Sequence, residues 1–60
     1  RIQRVLQQLP VEQRLVVELK IFQELTFDDI AEIESISANT AKTRFYAALK
    51  KLKSLLESTP

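Results

Sequence analysis

Asn39, Thr43, Tyr46, Ala47 and Lys50 form the outward side of one helical stretch at about 100° per residue, with Lys42 beside them. Their chemistry suits a nucleic acid. A lysine can donate to guanine O6 and N7, and a threonine can hydrogen-bond to a base edge or touch a thymine methyl. Tyr46, the single tyrosine, either packs against a sugar or thymine methyl or lies along its own helix over aliphatic stems. Lys42 and Lys53 flank this side on one edge and Thr40, Arg44 and Lys51 on the other. Ser37, Thr40, Arg44, Lys50 and Lys51 are candidates for phosphate contacts, because hydroxyls, cations and helix N-termini hold a phosphate without reading sequence. Lys50, Lys51 and Lys53 also suit the C-terminal half of a helix on dipole grounds alone, and Lys53 is read as a solvated residue.

Such a surface needs a helix with a firm start and a buried back. Ser37 supplies the start as an N-cap. The back is Ala41, Phe45, Ala48, Leu49, Leu52, Leu55 and Leu56, which fall in one broad sector of a helix over about residues 38–56. Phe45, the largest of them, is expected to fill the junction with the preceding helix near Ile30 and Ile36. That preceding helix spans about 27–34, with Thr26 as its cap and Asp28 and Asp29 in the first turn to favour its dipole. Its inward residues are Phe27, Ile30 and Ala31, with Ile33 at the margin, and Ser35 and Ile36 form the turn. A short capped helix, a tight turn and a longer capped helix with a polar, basic outer side make a helix-turn-helix over residues 26–56.

Two earlier helices complete the expected fold. Over about residues 2–8, Ile2, Val5, Leu6 and Leu9 follow the spacing of one face, and Pro10 disfavours helix at Leu9 while suiting the first turn of a second helix over about 10–23. There Leu15, Val16, Leu19 and Phe22 share a face flanked by Val17 and Ile21, broad enough to touch more than one neighbour. Glycine is absent and proline occurs only twice among 60 residues, so helices run with few interruptions. The fold class is all-α, a four-helix module in a single domain, 1–60. Ser58, Thr59 and Pro60 read as a fraying tail.

Charge is divided along the chain. Residues 1–36 hold four basic and seven acidic side chains, a balance of −3, whereas residues 37–60 hold five basic and one acidic, a balance of +4. The net +1 therefore hides a dipolar molecule whose positive end is the last helix. A chain of this length buries only about 60% of the surface its unfolded form exposes, leaving little room for an enclosed active site. With no cysteine there is neither a disulfide framework nor a zinc finger. No apolar run approaches the roughly 20 residues that span a bilayer, and a cytoplasmic location is expected. The opening on Arg1 inside an apolar repeat suggests a piece of a longer protein.

Asp28, Asp29 and Glu32 form the one notable carboxylate cluster. Without histidine or cysteine an ion site there would be shallow and open, so capping and solvation are the reading, with no metal, cofactor or small-molecule substrate expected. Arg14 can reach a phosphate or pair with Glu18 one turn later.

Residues 6–56 together resemble region 4 of the sigma-70 family, most closely its extracytoplasmic-function type. The resemblance rests on Leu9-Pro10, the stretch QRLVVELKIFQELT from Gln13 to Thr26, DDIAEIESIS from Asp28 to Ser37, NTAKTR from Asn39 to Arg44, and ALKKL from Ala48 to Leu52. It implies a non-enzymatic four-helix module that reads the −35 promoter element of double-stranded DNA in the major groove. It also implies docking on the β flap of RNA polymerase, and an anti-sigma factor as a further partner. Base reading then falls to Asn39, Lys42, Thr43, Tyr46 and Ala47. This sequence departs from the family in four places. Glu24 and Ser35 stand where glycine is usual and the backbone often turns left-handed, Asn39-Thr40-Ala41 replaces Gly-Thr-Val, and Ala47 stands where arginine is frequent. The last implies a different or weaker base preference.

Two other functions fit the same residues. The apolar faces of 2–22 and 45–56 suit a protein-interaction module, including one masked by an anti-sigma factor. A response-regulator output domain shares the helix-turn-helix but acts without this mode of polymerase docking and usually dimerises.

Overall fold

The structure, a computed structural model, describes residues 2–58; the expectations for Arg1, Thr59, Pro60 and the side chain of Ile2 lie outside the described residues. Four helical stretches follow one another: α1 (Ile2–Leu6), α2 (Val11–Val17) continuing into a π-helical segment (Glu18–Phe22), α3 (Phe27–Glu34) and α4 (Ala38–Glu57). The all-α expectation holds. The first helix ends two residues earlier than its apolar pattern, where the amides of Gln8 and Leu9 bond back to Val5 and Leu6 in a tighter turn. Pro10 then caps α2 from an extended backbone (φ −53°, ψ 147°) rather than entering it.

Both helices of the helix-turn-helix start on the caps that their sequence encodes. Thr26 Oγ1 accepts from the Asp29 amide at 3.1 Å and Asp29 Oδ2 accepts from the Thr26 amide at 3.2 Å, a reciprocal capping box. Ser37 Oγ accepts from the Thr40 amide at 3.0 Å. The two turns lacking glycine nevertheless take the left-handed backbone, with φ 56° at Glu24 and φ 58° at Ser35. At Ser35 the Ile36 amide reaches back to the Ala31 carbonyl at 2.9 Å, a Schellman-type closure. At Glu24 the corresponding bond, Leu25 amide to Leu19 carbonyl at 3.1 Å, spans one residue more. That extra residue matches the π-helical widening just before it, where the Gln23 amide bonds to Glu18. A side chain with a Cβ in this conformation costs about 1–2 kcal/mol. Ser35→Gly should therefore raise stability by about 0.5–1 kcal/mol after the extra chain entropy of glycine is subtracted, measurable as a higher thermal midpoint. An unchanged or lower midpoint would mean that Ser35 is unstrained.

The core gathers Leu6, Leu9, Val16, Val17, Ile30, Ala41, Phe45, Ala48 and Leu52, with Val5, Leu19, Leu25, Phe27 and Ile36 packed at its edge. α4 lies along α2 and α3 and also touches α1. Several side chains expected inside are not there. On the second helix the buried centre falls between Val16 and Val17, while Leu15 and Phe22 are 37% and 55% exposed. Gln13 and Lys20, half-buried, occupy the flanks of that centre instead, since their long stems can cover apolar surface. The outcome is an apolar ridge of Val11, Leu15 and Phe22 open to solvent. Ile33 is exposed on α3, and Leu49 and Leu56 are exposed on α4. α4 is 20 residues long, against eight for α3, so its last turn with Leu56 outruns its neighbours, whereas Leu49 stands at the edge of the apolar sector that buries Leu52.

Candidate nucleic-acid interface

α4 offers its surface as the sequence suggests over most of its length. Ala41, Phe45, Ala48 and Leu52 are buried, while Asn39, Lys42, Thr43, Tyr46, Ala47, Lys50, Lys51 and Lys53 are exposed and Thr40 and Arg44 are half-buried. The hydroxyls at its start are already arranged. Ser37 Oγ accepts the Thr40 amide and donates to Thr40 Oγ1 at 2.9 Å, which leaves the Thr40 hydroxyl proton as the donor free for an outside acceptor. Thr43 Oγ1 donates to the Asn39 carbonyl at 3.0 Å. Its proton is thus engaged within the helix, and what it presents outward is a methyl group and oxygen lone pairs, fit for a thymine methyl or a base amino group.

The two edges of this surface differ. Ala47, Lys50, Lys51 and Ser54 line a groove whose opposite wall is Gln8, Leu9 and Pro10 of the α1–α2 connection with Gln13 of α2. At its wall the Gln13 Oε1 is buried without a hydrogen-bond partner, an acceptor asking for a donor from outside. Tyr46 instead joins a row of rings. Phe27 meets Phe45 edge-on with centroids 5.5 Å apart, Phe45 meets Tyr46 edge-on at 5.5 Å, and Phe27 lies 6.4 Å from Tyr46. The Lys20 ammonium sits 4.7 Å from the centre of the Phe27 ring, a cation–π distance. Tyr46 remains 60% exposed despite these contacts.

Sequence reasoning did not attach Lys20, Phe27, Gln13 or Ser54 to the surface. Gln13 and Lys20 stand among apolar residues of the second helix and carried no chemical signal of their own, and Phe45 and Tyr46, adjacent in sequence, were read on opposite faces of the helix. Arg14 lines a separate concavity with Leu6, Gln7, Leu15, Glu18 and Phe22, which shares no residue with α4. Of the acidic cluster, Asp29 closes the box with Thr26, and among the described residues no group of histidine, cysteine, aspartate and glutamate side chains could hold a metal ion. Among the same residues no helix is long and apolar enough to cross a membrane.

The family described as "Sigma-70, region 4" matches residues 1–52, which takes in all four helical stretches up to Leu52. The chain belongs to the sigma-70 region 4 family. Over 45 residues it is 42% identical to RNA polymerase sigma factor SigV of Bacillus subtilis (strain 168), an alignment that covers 75% of the chain and 27% of that protein. This sigma-70 region 4 chain thus spans about a quarter of that relative's length. No solved structure matches it. Within the family, the residues 26–52 that carry the two caps, the left-handed turn at Ser35 and most of the outward side of α4 all fall inside the matched range.

Proposed function

We propose that this chain is the −35-reading part of a cytoplasmic sigma factor that directs RNA polymerase to start transcription. The observation that carries the reading is α4 itself: a capped helix whose outward side combines Lys42, Thr43 and Tyr46 with basic residues on both edges, in a chain matching the region 4 family. In this role Asn39, Lys42, Thr43, Tyr46 and Ala47 face base edges in the major groove. Ser37, Thr40, Arg44, Lys50 and Lys51 hold phosphates. The ridge of Val11, Leu15 and Phe22 is the surface offered to the β flap of the polymerase, or to an anti-sigma factor when the chain is held inactive.

Reading and holding separate by mutation. Lys42→Ala should lose about 1–3 kcal/mol on the preferred duplex and relax discrimination at one base pair. Lys50→Ala should weaken all sequences alike and flatten the dependence on salt, because it removes a phosphate contact. Competition titrations against a duplex set varied one base pair at a time distinguish the two. A uniform loss for Lys42→Ala would remove it from the base-reading set.

A further inference from the structure

Phe27 is read from sequence as core, and it does pack at the core's edge, yet its ring is also the hinge of the aromatic row that ends at Tyr46. It is the first residue of α3, inside the turn that Thr26 and Asp29 close with two reciprocal hydrogen bonds. Its ring is fixed on two sides, by the edge of Phe45 at 5.5 Å and by the Lys20 ammonium at 4.7 Å. Tyr46 then rests against both Phe27 and Phe45 while remaining mostly open to solvent. An exposed tyrosine on a helix would otherwise sample several rotamers, and ordering it on binding costs conformational entropy.

We infer that Phe27 is a positioning residue for base recognition: its ring holds Tyr46 in one orientation on the outward side of α4, where the phenol ring forms a fixed apolar surface for a thymine methyl. The inference rests on the promoter-reading function proposed above. Thymine is the base selected because its C5 methyl is the one apolar group displayed in the major groove, and the surface on offer is the exposed part of an aromatic ring. Lys20 acts through Phe27, seating the ring from the π-helical segment. Phe45, buried among core residues, supports the row from below.

Two measurements test this, both on variants that retain a cooperative thermal transition. The chain has one tyrosine and no tryptophan, so its intrinsic fluorescence reports Tyr46 alone. Time-resolved anisotropy should show Tyr46 tumbling with the whole chain in the parent and gaining a fast local motion in Phe27→Leu. For binding, a preferred duplex is selected from a randomised pool at low salt, and each thymine is replaced in turn by deoxyuridine, which removes only the methyl group. One replacement should cost the parent about fourfold in affinity, the worth of a single buried methyl, and cost Phe27→Leu and Tyr46→Ala nothing. Phe27→Tyr, which keeps the ring, should restore the penalty. A methyl penalty that persists in Phe27→Leu overturns the inference while leaving promoter reading intact, as does a Tyr46 equally mobile in the parent and in Phe27→Leu. A parent chain with no preference for any sequence overturns both together.

Discussion

Phe45→Ala should leave the chain largely unfolded. Phe45 is 8% exposed, stands in the core beside Ile30, Ala41 and Ala48, and takes the edge of Phe27. Truncating a buried phenylalanine costs about 3–5 kcal/mol, through lost transfer energy and the cavity left behind. A single core in a domain this small rarely supplies more than about 3–5 kcal/mol in total, so one substitution removes nearly all of it. The loss should exceed a plain cavity effect here, because Ala41 and Ala48 line the same face of α4 and are too small to fill the space. Circular dichroism on heating checks the expectation: the parent should melt cooperatively and the variant should show no cooperative transition. A variant melting within a few degrees of the parent would show that the core closes without this ring.

The parts of the fold that were legible in sequence are those set by neighbours in the chain. Thr26 and Ser37 are caps because a hydroxyl three residues before an orphan amide satisfies it whatever lies beyond, and both bonds are present. The left-handed turns at Glu24 and Ser35 were marked instead by the family resemblance, which puts glycine at both positions, and both take a positive φ. What was not legible depends on distant packing. An apolar count put Leu15 and Phe22 inside, but the neighbours of the second helix accept the side bearing Val16 and Val17, with Gln13 and Lys20 as its margins. No local pattern ranks two adjacent sectors of similar apolarity. The π-helical widening at Glu18–Phe22 also rotates Phe22 off any face counted at the α-helical period, and nothing in ELKIF announces it. The outward side of α4 was readable because its buried stripe of Ala41, Phe45, Ala48 and Leu52 keeps helical spacing. The ring row reaching from Lys20 to Tyr46 joins three elements and could be found only once they were packed.

The chain on its own should hold promoter DNA weakly at physiological salt, and this decides how such a module works. Its outward side offers Lys42, Arg44, Lys50, Lys51 and Lys53 to phosphates, and at position 47 a methyl group in place of any charge. The remaining surface is acidic, with Glu24, Asp28, Asp29 and Glu32 all exposed ahead of α4, so its field opposes rather than aids approach to the duplex. About four neutralised phosphates give a salt slope near −3.6, so affinity should fall by more than about a hundredfold as salt rises from roughly 50 to 200 mM. Useful affinity then has to come from outside the interface. If the ridge of Val11, Leu15 and Phe22 docks on the polymerase and a second promoter element is gripped elsewhere in the assembly, the −35 contact becomes intramolecular. A weak interaction is then amplified by effective concentration without any new contact to DNA. Titrations of −35 duplex at about 150 mM salt, where the Debye length is about 8 Å, compare the chain alone with the sigma factor bound to core polymerase. The chain alone should bind weakly and with a steep salt slope. In the assembly, Phe22→Ser should lower promoter affinity while leaving the affinity of the isolated chain for DNA unchanged, because Phe22 lines a concavity apart from α4. Nanomolar, sequence-specific binding by the chain alone, above all as a dimer on a palindrome, would sink the sigma-factor reading in favour of an autonomous activator.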